Sequence, residues 1–187
     1  MDGNVSVRPN DVAAMRRKLA VVAVLAVVLF GVATVRIFVA PDLPPLPAHV
    51  DAIIELAGPG IRDAATMALV HQGRAPVVVQ STTQLEDGKH TCLPATPDVE
   101  VLCFNPKPGT TRGEAHYIAA TAAQRHWKSI IIVTTPDHAL RARLRIGRCF
   151  PGTVYVAESP LPWLYWFRQI PYQWAASVKA LAFQTAC

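Results

Sequence analysis

Hydrophobic positions along this chain fall into three regimes. Residues 19 to 35, LAVVAVLAVVLFGVATV, carry no charge, and the apolar run resumes after Arg36 with IFVA. Together they supply the about 20 residues that a bilayer-spanning helix requires. The next stretch, PDLPPLPAHV over 41–50, has no periodicity; its prolines predict an extended polyproline spacer that holds the following domain slightly off the bilayer. From Asp51 onward, short apolar runs alternate with helical patterns.

That alternation predicts strands at DAIIELA (51–57), APVVVQS, VEVLCF (99–104), SIIIVTT and TVYVAE (153–158). Helices are expected between them, over 61–73 with a stop at Gly73, from about Arg112 to His126, and from Pro136 to about Arg148. Strands rich in Val and Ile that alternate with helices imply a mostly parallel five-stranded sheet covered on both faces, a Rossmann-like three-layer α/β/α sandwich. In such a sheet, ligands bind where the carboxyl ends of strands lead into helix N-termini. The loops AGPGIR, QSTTQ, NPKPGTTRGEA and TTPDHALR occupy those positions and are rich in polar groups.

The closing segment, PLPWLYWFRQIPYQWAASVKALAF, concentrates Trp163, Tyr165, Trp166, Phe167, Tyr172 and Trp174. Helical spacing from Ala175 to Phe183 and the burial needs of a modest domain favour a helix packed across the sheet, its aromatics filling core. An aromatic belt at a membrane interface is the competing reading.

Charge and cysteines refine the membrane segment. Arg16, Arg17 and Lys18 precede it and only Arg36 lies at its far end, a bias that keeps residues 1–18 cytoplasmic, makes 19–40 a single-pass signal anchor and puts 51–187 outside. Cleavage as a signal peptide competes, but the apolar stretch is long for one, and Pro41 follows the obvious cut point at Ala40. Cys92, Cys103, Cys149 and Cys187 all follow the anchor, as an oxidising compartment permits. Of the three pairings open to four cysteines, those closing the shorter loops join Cys92 to Cys103 and Cys149 to Cys187. The net charge of +5 includes four basic residues before the anchor, so nucleic acid is a poor partner for the outer domain. A bilayer around 19–40 and an anionic envelope precursor fit better. No Cys/His spacing suggests a metal.

Three loops carry candidate chemistry. In TTPDH, Thr135 reads as a helix cap and Pro136 as its first residue, so His138 and Arg141 share a face one turn in, where free amides and an arginine fork attract an anion. Arg143, Arg145 and Arg148 read as a solvated face. In TTRGEAH, Thr111 and Glu114 have the spacing of a capping box, with Glu114 also available as an acceptor or base. In GPGIR, Gly58 allows close backbone approach and Arg62 is a cation at a helix start, where the dipole disfavours it unless an anionic ligand or a loop acid pairs with it. A serine hydrolase pair of Ser81 and His138 has no support in spacing.

The order of DAIIELAG, an arginine after a glycine turn, HQGRAPVVVQS, TTRGEA and IIIVTTPDHALRAR resembles the YdcF-like family, a domain of unknown function that takes in the bacterial envelope proteins SanA and ElyC. The resemblance runs from about Asp51 to Gly152. It implies a Rossmann-like domain with one pocket comprising Gly58, Arg62, Ser81, Thr111, Glu114, His138 and Arg141. It also implies a role in cell-envelope integrity or peptidoglycan assembly, with Glu114 and His138 as the catalytic candidates if a reaction occurs. One cytoplasmic relative is described as binding S-adenosylmethionine; the cofactor, if any, of this chain is left open by the sequence. The sequence departs from the family in QSTT, where Thr82 and Thr83 replace two glycines, and at Asn105, which stands for a glutamate.

Overall fold

In a computed structural model describing residues 9–58, 62–82 and 92–187, five strands form one sheet: Ala52–Glu55 (β1), Val77–Ser81 (β2), Glu100–Phe104 (β3), Ser129–Thr134 (β4) and Thr153–Glu158 (β5). Their order is β3-β2-β1-β4-β5, and every neighbouring pair is parallel. Helices Arg62–His71 (α2), Thr111–Arg125 (α3) and Pro136–Gly147 (α4) make the crossovers. The fold is a Rossmann-like α/β/α sandwich, and the chain's direction across the sheet reverses between β1 and β4. That reversal opens a crevice at the carboxyl end of the sheet.

The central strands are apolar on both faces because both are covered. Ile54, Ile130 and Ile132 pack with Ile118 and Ala122 of α3 and Ala142 and Ile146 of α4. Ile53, Val78, Ile131 and Val133 pack on the opposite face with Leu69 of α2. Ile130, Ile131, Ile132 and Val133 are all fully buried, which explains the unbroken β-branched run in the sequence.

Ahead of the sheet, helix α1 (Pro9–Thr34) runs into a π-helical turn at Val35–Val39. The helix is long and apolar enough to cross a membrane. Its end is built into the domain: Phe38 is only 2% exposed, and the π-helical turn packs against α4. The segment over 41–50 is extended but does not act as a stand-off spacer. Arg74 donates to the Pro47 carbonyl, Val50 N–H donates to Arg74 O at 2.8 Å, and Leu43 and Leu46 pack on the two core layers. Partial burial of these leucines against the core holds the prolines along the domain.

The C-terminal segment also departs from expectation. Helix α5 spans Trp163–Ala182 with Pro171 inside it. It packs on α4 rather than across the sheet, burying only Gln173 and Ala180. Its aromatics do not fill core: Trp163, Tyr165, Phe167 and Tyr172 are exposed. The sheet already has a helix layer on each face, so no apolar surface remained for them.

Arg145 and Arg148 are correspondingly not a solvated face. Arg145 donates to both the carbonyl and the side-chain oxygen of Gln184, each at 2.7 Å, and Arg148 donates to the carbonyls of Ala180 and Gln184. These cations satisfy the free carbonyls at the end of α5 and match its dipole. Disulfides join Cys92 to Cys103 and Cys149 to Cys187. The second fastens the end of the chain to the end of α4.

Candidate functional site

A pocket of about 600 Å³ lies at the carboxyl end of the sheet, between the loops after β1, β3 and β4, with α5 as its fourth wall. The N-termini of α2, α3 and α4 all point toward it. Of the residues expected there, Gly58, Arg62, Thr111, Glu114, His138 and Arg141 line the pocket. Ser81 is buried beside Glu114 without lining it. Ile61, Thr83, and the second glycine of GPG lie outside the described residues, as does the expected cytoplasmic tail up to residue 8.

Gly58 and Arg62 form a unit. Gly58 has φ +143°, a conformation that side chains rarely adopt, and a Cβ there would meet the Arg62 guanidinium at 2.7 Å. Arg62 folds back through this space and donates to the Leu56 carbonyl. No carboxylate reaches Arg62 within ion-pair distance among the described residues, so the alternative of a salt bridge to a loop acid is not realised. Its Nε is buried without a partner among the described residues.

The helix cap of α3 differs from the expected capping box. Thr110, not Thr111, is the N-cap, and its hydroxyl accepts from Gly113 N–H. Gly113 is held against the preceding loop, where a Cβ would meet the Pro108 carbonyl. Glu114, freed from capping, reaches across the crevice and accepts from Ala57 N–H at 2.9 Å. Burial raises its carboxyl above the usual range, opposed by nearby Ser81, the Ala57 amide, Arg62 and Arg141. The Ser81 hydroxyl counters that rise from close by but has no partner at hydrogen-bond geometry among the described residues.

Two threonines bracket the His138 imidazole. Nδ1 lies 3.0 Å from Thr134 Oγ1 and Nε2 lies 3.3 Å from Thr111 Oγ1. Burial, reinforced by the charges of Arg141 and Arg62, holds its pKa well below the ordinary value. The ring is therefore neutral at physiological pH and can pass hydrogen-bond polarity from Thr134 to Thr111 in either direction.

Thr135 is the N-cap of α4 but its side chain makes no capping bond. Its hydroxyl is buried with no partner among the described residues, and the residue lines the pocket. Asp137 does not pair with a cation; its Oδ2 accepts from Gln173 Nε2 at 2.8 Å. The same glutamine accepts from Arg141 Nε at 3.0 Å, and the Arg141 guanidinium lies over the Tyr172 ring at 5.9 Å.

Sequence reasoning missed the α5 wall: Tyr165, Arg168, Gln169, Tyr172 and Gln173 all line the pocket. Its signal was present. Arg168, Gln169, Tyr172 and Gln173 recur at one-turn spacing, a polar sector on an otherwise apolar helix. With α5 included, three guanidiniums face two carboxyls, one of which burial pushes toward its neutral form. The balance favours an anionic ligand.

Away from the pocket, His116, Cys149 and Cys187 bring three potential metal ligands within 4.8 Å of one another. The disulfide occupies both thiols, leaving one imidazole. No protein-family model, curated protein or solved structure matches the chain.

Proposed function

We propose that this is a membrane-anchored member of the YdcF-like family whose outer domain binds a phosphate-bearing envelope precursor, in support of cell-envelope or peptidoglycan biogenesis. The observation that carries the reading is the convergence of Arg62, Arg141 and Arg168 on one pocket, beside a Thr135 hydroxyl that has no partner among the described residues. Arginine forks, a hydroxyl and helix N-termini are the groups that hold phosphate oxygens. The compartment follows from charge: Arg16, Arg17 and Lys18 keep the N-terminus in the cytoplasm and the domain outside a bacterial cell membrane. An uncleaved anchor is supported by Phe38, because cutting after Ala40 would strip a buried aromatic from the domain.

The binding reading is tested by titrating the detergent-solubilised full chain with inorganic pyrophosphate. Saturable binding that weakens at least tenfold in R62A and in R141A is expected, with R143A behaving as wild type. Equal binding by all four would remove the reading. A reporter fused after Cys187 tests the topology, and activity in the cytoplasm would reverse it.

An enzymatic reading, hydrolase or transferase, has one specific observation in its favour. Thr111 Oγ1 faces the Nε2 of a neutral imidazole whose other nitrogen is held by Thr134, and Glu114 has a raised pKa in the same pocket. Replacing Glu114 and His138 separately by alanine in a complementation assay separates the two readings, since full rescue by both leaves binding alone. A third reading, a protein-interaction module using the aromatic segment, would gain from a free Cys187. That residue is in a disulfide.

A further inference from the structure

Helix α5 presents two different surfaces. One sector, Arg168, Gln169, Tyr172 and Gln173, faces the pocket. On the other side, Trp163, Phe167, Trp174, Val178 and Leu181 follow steps of four, seven, four and three residues, which align them in one stripe along the helix. Trp163 is 69% exposed, Phe167 77% and Leu181 59%. A contiguous apolar stripe of this kind left in water is unusual for a soluble surface.

The stripe points to its own occupant. Trp174, in the middle of it, stacks on Phe30 of α1 with ring centroids 5.1 Å apart, meets Phe38 edge-on at the same distance, and donates from Nε1 to Thr34 Oγ1 at 3.2 Å. The stripe is thus continuous with the outer surface of the very helix that is apolar enough to cross a bilayer. Depth follows from the same contacts. Arg36 marks the head-group level at the end of the span, and Phe30 lies six residues before it, about 9 Å deeper at 1.5 Å per residue. An amphipathic helix resting in an interface buries its apolar face about 5–10 Å. The Phe30 contact holds Trp174 at that depth. Arg168 and Lys179, both exposed, lie off the stripe where cations reach phosphates.

We infer that α5 is an in-plane interfacial helix, seated by its apolar stripe in the leaflet at the C-terminal end of α1. Tyr165, Arg168 and Tyr172, which rim the pocket from α5, then lie at head-group level. The bilayer contact does not depend on what the pocket holds.

The experiment uses the full chain reconstituted in phosphatidylcholine–phosphatidylglycerol vesicles with lipids brominated at set acyl depths. Trp163 is retained as the single tryptophan (W127F, W166F, W174F) and compared with a chain retaining only Trp127. Trp127 sits beside the start of β4, at the far end of the extended 41–50 segment. Quenching of Trp163 by at least twofold, strongest for shallow bromines, is expected, with Trp127 quenched by less than a tenth. A second variant, Phe167→Trp with all four native tryptophans changed to Phe, reports from one turn along the stripe and should give the same quenching. If both stripe reporters are quenched no more than Trp127, or are quenched by aqueous iodide instead, the stripe faces water or a protein partner and the inference is overturned. Pyrophosphate titration of the same vesicles reports on the pocket separately.

Discussion

Gln173 donates its side-chain amide to Asp137 at 2.8 Å while its carbonyl oxygen accepts from Arg141. One residue of α5 thereby holds both an acid and a base of α4 in the pocket wall. Without it, the Asp137 carboxyl keeps no hydrogen bond among the described residues, since its other oxygen is already buried and unpartnered there. Q173A is expected to cost about 1–3 kcal/mol of stability and to weaken pyrophosphate binding by freeing Arg141. Thermal melts and titration check both; an unchanged melting temperature with unchanged affinity would show that the bridge is dispensable.

Gly58 is required by its neighbour as well as by its own backbone. G58A puts a methyl group into the Arg62 guanidinium and forces an L-residue into φ +143°. A loss of the order of 1–3 kcal/mol is expected, with pyrophosphate affinity falling as far as in R62A. R62A combined with G58A should lose little further affinity, since both changes remove the same contact. Additive losses would mean that Gly58 acts independently of Arg62.

A buried acid outside the pocket sets a pH dependence. Glu55, at the end of β1, accepts from Gln80 at 2.9 Å, and its pKa is pushed up to about 7, chiefly by burial, with Asp63 adding to the rise. The folded state therefore favours the protonated acid. Its stabilising contribution is full below the unfolded value near 4.5 and is lost as pH rises toward 7. E55Q, which keeps the shape without the charge, is expected to be more stable than wild type at pH 8, by up to roughly 3 kcal/mol. The difference should vanish near pH 4. Urea unfolding across that range measures it, and a gap that persists at pH 4 would assign the effect to packing.

How much of this was legible in the sequence depended on whether the determining forces were local. The β-branched runs at 77–79 and 130–133 and the Pro136 helix start were readable because strand burial and proline geometry act within a few residues. The chain's order then located the crevice. The capping pattern at Thr111 misled because a T-x-x-E spacing does not specify whether the carboxylate turns back to its own helix or forward to Ala57. Arg145 and Arg148 misled for a related reason: their partner, Gln184, lies more than thirty residues on. The α5 wall was the largest omission. Its aromatics looked like core on composition, and only the contacts of Gln173 and Trp174 reveal that one side of the helix closes the pocket while the other meets α1.

Binding of a phosphate-bearing anion through Arg62 and Arg141 is what we propose for the pocket. Its most direct measurement is untargeted mass spectrometry of small molecules retained by the purified full chain, comparing wild type with R62A, R141A and R143A. A phosphate-bearing species enriched on wild type and R143A and depleted from both pocket variants is expected. Equal retention by all four chains, or a retained ligand that is neutral or cationic, would contradict it.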